Sequence, residues 1–314
     1  MAYQLISGPT FADLPAHIIG FAVNTLGWSN PSSGQIVIPD SGADLVVSID
    51  TQQVSTGNYR NRLRARMYKE STLLTTTYCP SPYIAQNYLE PVALHLFGGE
   101  DEQPWLAAVV EYGNVSIFRH LYIGRLNAFG SYDGGEVVCG SAHRTQPTLT
   151  INYRDNWHQH LFCGTQSLWN AAESGGVRLA HSDLGGEILA PFRAQTSETS
   201  SMATDCVIGG FSNNINDPYI ARGQNTFAGV RIFNPINLYL TRPQARFCPI
   251  GWPPGVRLVS MTDLGPNSII TVANQTWRCF PQFKKGATSI SSGSSNTFMA
   301  DETSYTVGLA YLES

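Results

Sequence analysis

Charge is the first thing this sequence lacks. Lys, Arg, Asp and Glu make up 13% of its 314 residues, against ~25% in an average globular chain. Protein contact areas are depleted in Lys and Glu, and a surface poor in them keeps a lone molecule in solution badly. The composition therefore favours a subunit of an assembly over a neutral monomeric β protein. The formal net charge of −4 gives no electrostatic footprint for nucleic acid, so no direct contact with it is expected. Long apolar runs are missing too. None approaches the ~18 residues of a membrane-spanning helix, and no charged-then-apolar leader marks a signal peptide. Neither is expected. The six cysteines (Cys79, Cys139, Cys163, Cys206, Cys248 and Cys279) include no CxxC pair, which argues against a zinc ribbon or a redox motif. Free, largely buried thiols in a reducing cytosol are the expectation.

What is present is mostly strand pattern, preceded by one helix. In "FADLPAHIIGFAVNTLGW", Leu14, Ile18, Phe21, Ala22 and Leu26 recur at helical spacing, with Pro15 tolerated in the first turn. Asp13 is the expected N-cap, and Gly27 the expected left-handed residue after the C-terminus, with Trp28 folding back. From Gln35 the text turns to strands. "GQIVIPDSGADLVVSID" reads as two, and the stretch from Glu90 to Leu126 as three. There Gly113-Asn114 predicts a two-residue hairpin that sets Tyr112 against Val115 and Ala107 against His120. Both faces of that hairpin carry large apolar groups, so cover on both sides is predicted. Arg60, Arg62, Arg64 and Arg66 follow a two-residue period and share one face, as a solvated edge or as a contact for an acidic subunit or phosphates.

Residues 145–244 carry many Asn, Gly and Ser, and read as a loop-rich insertion or a small subdomain within one β-rich domain spanning 1–314. Three strands are predicted in "GVRLVSM" and "NSIITVANQTWRCFPQF", with a turn near Asn274-Gln275. A low-complexity loop follows, and "YTVGLAYLE" is a last strand. No repeat of fixed period occurs. The fold class expected is mainly β: antiparallel sheets, sandwich or barrel-like, with a short N-terminal amphipathic helix and long loops.

Candidate chemistry is thin. His158 and His160 in "DNWHQH" share a face if that segment is a strand, and His181 and Asp183 could add ligands. This spacing arises readily by chance, and no second shell is in evidence. "CGSAH" sets Ser141 two residues before His143 but lacks the glycines of a hydrolase elbow. No phosphate-cradling loop or dinucleotide fingerprint occurs. Glu111 and Asp133 flank "FRHL" as an imaginable acid/base pair, though exposed turn carboxylates are far commoner. His120, between Phe118 and Tyr122 on one face, is expected to bury its ring and donate one hydrogen bond. Arg119, on the apolar face, needs a carboxylate or carbonyls from Glu111, another strand or a neighbouring subunit. No catalytic residue and no cofactor is assigned.

The order of these signals resembles a family of virion structural proteins of tailed bacteriophages. The resemblance rests on "FAVNTLGW" with Gly27 and Trp28, "FRHLYIGRL" with Gly124, "GSYDGG", "WRCFP" with Trp277, and "GLAY". It is dense over 21–28, 94–141 and 277–311. The chain departs from the pattern at Leu26, at Ile123 and in "NAF". The resemblance implies a non-enzymatic tail, neck (collar) or baseplate component. Its partners would be copies of itself in a ring and neighbouring virion proteins (tail tube, sheath, connector or baseplate). It would reside in the virion after assembly in the host cytoplasm. Trp105, Tyr122, Trp157, Trp169 and Trp252 then become interface anchors, although core packing accounts for them equally well. The rival readings are a glycan-binding host-recognition module at a tail fibre or tip, and a cell-wall hydrolase.

Overall fold

The computed structural model describes residues 1–40, 45–53, 61–69, 71–80, 83–84, 87–100, 102–113, 117–132, 134–141, 176–181, 206–209, 233, 235–242, 245–261, 264–281 and 307–314. Strand β1 (Ala2–Ser7) leads into a 3-10 turn (Phe11–Asp13) and helix α1 (Leu14–Asn24). Next come β2 (Gln35–Val37), β3 (Leu45–Gln53), β4 (Asn61–Lys69), β5 (Thr72–Pro80) and a small hairpin, β6 (Tyr83–Ile84) with β7 (Asn87–Tyr88). The middle of the chain gives β8 (Pro91–Gly99), β9 (Trp105–Tyr112), β10 (Ile117–Arg125), β11 (Asn127–Ala128) and β12 (Gly134–Gly140). They are followed by β13 (Gly176–His181), β14 (Cys206–Gly209), β15 (Leu238–Arg242) and β16 (Ala245–Trp252). The last are β17 (Val256–Ser260), β18 (Ser268–Val272), β19 (Gln275–Pro281) and β20 (Val307–Leu312).

The fold is mainly β, antiparallel and layered, as the sequence predicts. A six-stranded sheet, β1-β8-β9-β10-β12-β13, forms the middle layer. Alternate residues along its strands enter two different cores, because successive side chains point to opposite faces. Trp105, Ala107, Val109, Phe118, Tyr122, Val137 and Cys139 join one core with the sheet β17-β20-β19-β18 and with Ile236, Leu238 and Ile250. Leu106, Ala108, Val110, Ile117, Leu121, Ile123 and Val138 join the other, with α1 and the sheet β2-β3-β4-β5. Antiparallel sheets usually leave one face to water. Here neither central face is wet, and that is why β9 and β10 read as near-continuous apolar runs. Of the stretch 145–244, the described strands β13, β14 and β15 add to sheets whose other members lie outside it.

The helix ends as its sequence dictates and begins differently. Gly27 takes φ +74°, and the Trp28 amide donates to Ala22 O at 2.9 Å, which turns the indole back into the core beside the helix. Asp13, however, makes no side-chain cap. Its own backbone is already helical (φ −85°, ψ −12°), continuing the 3-10 turn, and its carboxylate accepts the Thr10 hydroxyl at 2.6 Å.

The predicted two-residue hairpin is corrected as well. Tyr112 faces Ile117 and His120 faces Val109, so the loop holds residues 113–116. The Gly113 amide donates to Glu90 O, just before β8, at 3.3 Å, and Gly113 takes φ +61°. The pairing has moved by two residues, which preserves every side chain's face; a slip of one would have reversed them all. At the far end of the chain, Val272 pairs with Gln275 across Ala273 (φ 49°) and Asn274 (φ 67°), the left-handed pair of a tight hairpin.

Candidate functional site

The side chains of "FRHL" all go into the interior. All of Ile117–Gly124 is buried. On the face toward β19 and β20, the His120 ring is fully enclosed. Its Nε2 lies 3.0 Å from Pro281 O and its Nδ1 2.9 Å from the Tyr311 hydroxyl. A carbonyl only accepts, so Nε2 carries the proton and Nδ1 of the neutral ring accepts from Tyr311. The histidine is thus a cross-layer clamp with both ring nitrogens engaged. Tyr122 does the same nearby, donating to Pro254 O at 3.1 Å. Burial raises the phenols of Tyr122 and Tyr311 well above the ordinary tyrosine value. Both stay neutral.

Ser141 extends this arrangement through the strand backbone. Its Oγ accepts the His120 backbone N–H at 2.8 Å, and its own amide donates to His120 O at 2.8 Å. The hydroxyl therefore meets the strand backbone, and both imidazole nitrogens are held by Tyr311 and Pro281.

Arg119 points the other way. It is buried on the face of Leu121 and Ile117, where its charge bears on the Cys79 thiol of β5 and on Tyr112. Burial drives the Cys79 thiol up to about 12, against the opposing field of Arg119. Glu111 is excluded as the arginine's partner. It stands opposite Phe118, hence on the other face of the sheet.

A second polar cluster closes one rim of the sandwich. Tyr3 donates its hydroxyl or accepts at His95 Nδ1 (3.0 Å), and the Arg278 guanidinium lies 4.3 Å from the Tyr3 ring centroid. Arg278 is held by Glu313, Nε to Oε2 at 3.0 Å and Nη2 to Oε1 at 2.9 Å, and by Asn267 at 2.7 Å. His95 packs edge-on against Phe280 at 4.8 Å. Burial, reinforced by the nearby Arg278 charge, pushes its pKa down to about 4.

Trp105, Tyr122 and Gly124 are brought together. The two rings stack at 6.4 Å and 5°, and Gly124 pairs with Trp105 across the strands. Trp105 and Tyr122 are inside this chain's own core, as are Trp28 and Trp277, so their ring surfaces are spent on packing within the subunit. Trp252 differs. It is half-buried and lies 4.9 Å from Phe129, which is 43% exposed. His143, Trp157, His158, His160, Trp169, Asp133, Asp183, Arg60 and Cys163 lie outside the described residues, as do the side chains of His181, Cys206 and Cys248. Cys79, Cys139 and Cys279 are buried thiols outside any disulfide. Among the described residues no group of His, Cys, Asp and Glu could hold a metal ion, and no helix is long and apolar enough to cross a membrane.

The arginine row of β4 lies on a face, not an edge. β4 pairs with β3 on one side and β5 on the other. Leu63, Ala65 and Met67 point inward; on the opposite side Arg64 and Arg66 are half-exposed and Arg62 is buried. Arg64 makes a bidentate pair with Asp50 (2.6 and 2.9 Å), which also takes Arg66 Nη2.

Sequence reasoning found His120 and Arg119 but missed Tyr3, His95, Arg278 and Tyr311. Their common signal was a polar group on an otherwise apolar strand face, as in "LHLF" and "GLAY". Neither a scan against protein-family models nor a search of curated proteins finds a match for the chain.

Proposed function

We propose that this chain is a non-enzymatic structural subunit of a tailed-phage virion, in the tail, neck or baseplate, built as a ring of identical copies. The observation that carries the reading is the enclosure of "FRHL": its histidine clamps two layers together and its arginine is buried beneath a third. Among the described residues, His120 and Ser141 are occupied in holding strands and layers together, which supports the reading. A charge-poor composition and the ordered resemblance of five motifs to virion structural proteins support the same reading. The working site is then the outer surface, where many modest contacts repeated by symmetry hold a particle.

Native mass spectrometry and negative-stain imaging of the purified chain test this. A closed ring of one subunit type is expected. A monomer that hydrolyses peptidoglycan, with turnover abolished by Glu111→Gln or His158→Ala, overturns it. The half-open Phe129–Trp252 pair beside Asn127 favours a second reading, glycan binding at a fibre or tip, since exposed rings stack on sugar faces. Polysaccharide binding lost on Trp252→Ala, in a chain that forms no ring, distinguishes it.

A further inference from the structure

The outer face of the β2–β5 layer has the composition of a contact surface. Gln35, Ser48, Asp50, Arg64, Arg66 and Tyr68 stand on it half-exposed, and none of the described half-exposed residues of this face is Lys or Glu. Arg and Tyr are the side chains that interfaces concentrate, and Lys and Glu the ones they shed. Two guanidiniums share the single Asp50 carboxylate, leaving one positive charge over. Arg66 Nε is buried without an acceptor, and its guanidinium lies 5.8 Å from the Tyr68 ring centroid. The rest of the described surface has the opposite sign. Its exposed charges are Asp13, Asp40, Glu90, Glu100 and Glu102 against Lys69. Glu100 and Glu102 belong to the Glu-Asp-Glu-Gln-Pro segment between β8 and β9; Glu102 accepts from the Asn127 amide of its own chain, and Glu100 has no hydrogen-bond or ion-pair partner among the described residues.

We infer that the Arg64–Arg66 face of one subunit receives the acidic Glu100–Glu102 turn of a second copy. In their own chain both arginines bond Asp50, and among the described residues neither makes a hydrogen bond or ion pair with Glu100 or Glu102. A contact between two different patches is heterologous, and such contacts close into rings or propagate as filaments. The inference rests on the reading that copies associate, and it names the surfaces that do so.

Sedimentation velocity of the full chain and its variants tests it. Wild-type association is expected at about 50 mM salt and to weaken at about 500 mM, where the screening length shrinks to a few Å. Arg66→Glu and Glu100→Arg each weaken it by roughly tenfold or more, as reversal of a contact charge does. Arg66→Lys keeps most of it. Mixing the two reversed variants restores association that neither shows alone. Glu100 lies in an exposed turn, so its variant serves even if Arg66→Glu fails to fold by circular dichroism. A wild-type assembly indifferent to both reversals overturns this contact while leaving the ring reading intact. Loss on single reversal without recovery on mixing gives the arginines another acidic partner and also overturns it. A wild type that stays monomeric at every concentration overturns the association itself.

Discussion

The two faces of the central sheet are built from the same strands and sealed in different ways. Toward α1 and the β2–β5 layer the cover is chiefly aliphatic: Ile18, Ile36, Val47, Ile49, Leu63 and Met67 against Leu106, Val110 and Leu121. Toward β17–β20 it is aromatic and hydrogen-bonded: Phe97, Phe118, Phe280 and Tyr311 with His95 and His120 among them. Aliphatic burial is non-directional and tolerates small shifts of one layer over another. Hydrogen bonds between buried rings and carbonyls fix one register and penalise the rest. The aromatic side is therefore the one that defines how the layers lie, and the aliphatic side supplies burial without much geometry.

Adjacent residues on β9 give the largest test of that contrast. Trp105 faces the aromatic core, stacked on Tyr122, and a methyl placed on Gly255 would overlap its indole. Leu106 faces the aliphatic core. Truncation to Ala is expected to cost about 3–5 kcal/mol at Trp105 and about 2–4 at Leu106. Gly255→Ala should approach the Trp105 value, because Gly255 also sits at φ +66°. Urea midpoints measure all three. Equal costs at Trp105 and Leu106, or a tolerated Gly255→Ala, would erase the distinction.

The next effect is a pH dependence confined to the aromatic side. His95 is buried with its pKa pushed down to about 4 from 6.5. Between these values the unfolded chain binds the proton and the folded chain does not, so stability falls as pH is lowered from about 6.5 to about 4. The loss is on the order of 2–3 kcal/mol. His95→Phe should flatten that stretch of the stability–pH curve. An unchanged slope in the variant would mean that other groups carry it.

Much of this architecture was legible because it depends on alternation. β9 and β10, with large apolar groups on both alternating faces, announced a sheet covered on both sides, and Gly27 announced the helix end. What could not be read was which residue of another strand would meet each polar group. Tyr311 is 191 positions from His120, and Pro281 161. Local pattern holds no trace of such pairings. The hairpin at Gly113 failed for a related reason: its amide meets a carbonyl 23 residues earlier, at Glu90, which the local pattern does not show. Asp13 failed because the 3-10 turn before it had already committed its backbone.

The smallest effect compares two buried tyrosines that differ only in their partners. Tyr311 donates its hydroxyl to His120 Nδ1, on the aromatic side. Tyr112, on the aliphatic side, is equally buried, and its hydroxyl has no hydrogen-bond partner. Removing one member of a buried pair strands the other, so Tyr311→Phe should cost about 1–3 kcal/mol. Removing an unpartnered buried hydroxyl strands nothing and relieves a desolvation cost, so Tyr112→Phe should lie within about 0.5 kcal/mol of wild type or gain up to about 1. Paired urea titrations at neutral pH measure both changes. A loss at Tyr112 as large as that at Tyr311 would show that the aliphatic side, too, is held by hydrogen bonds.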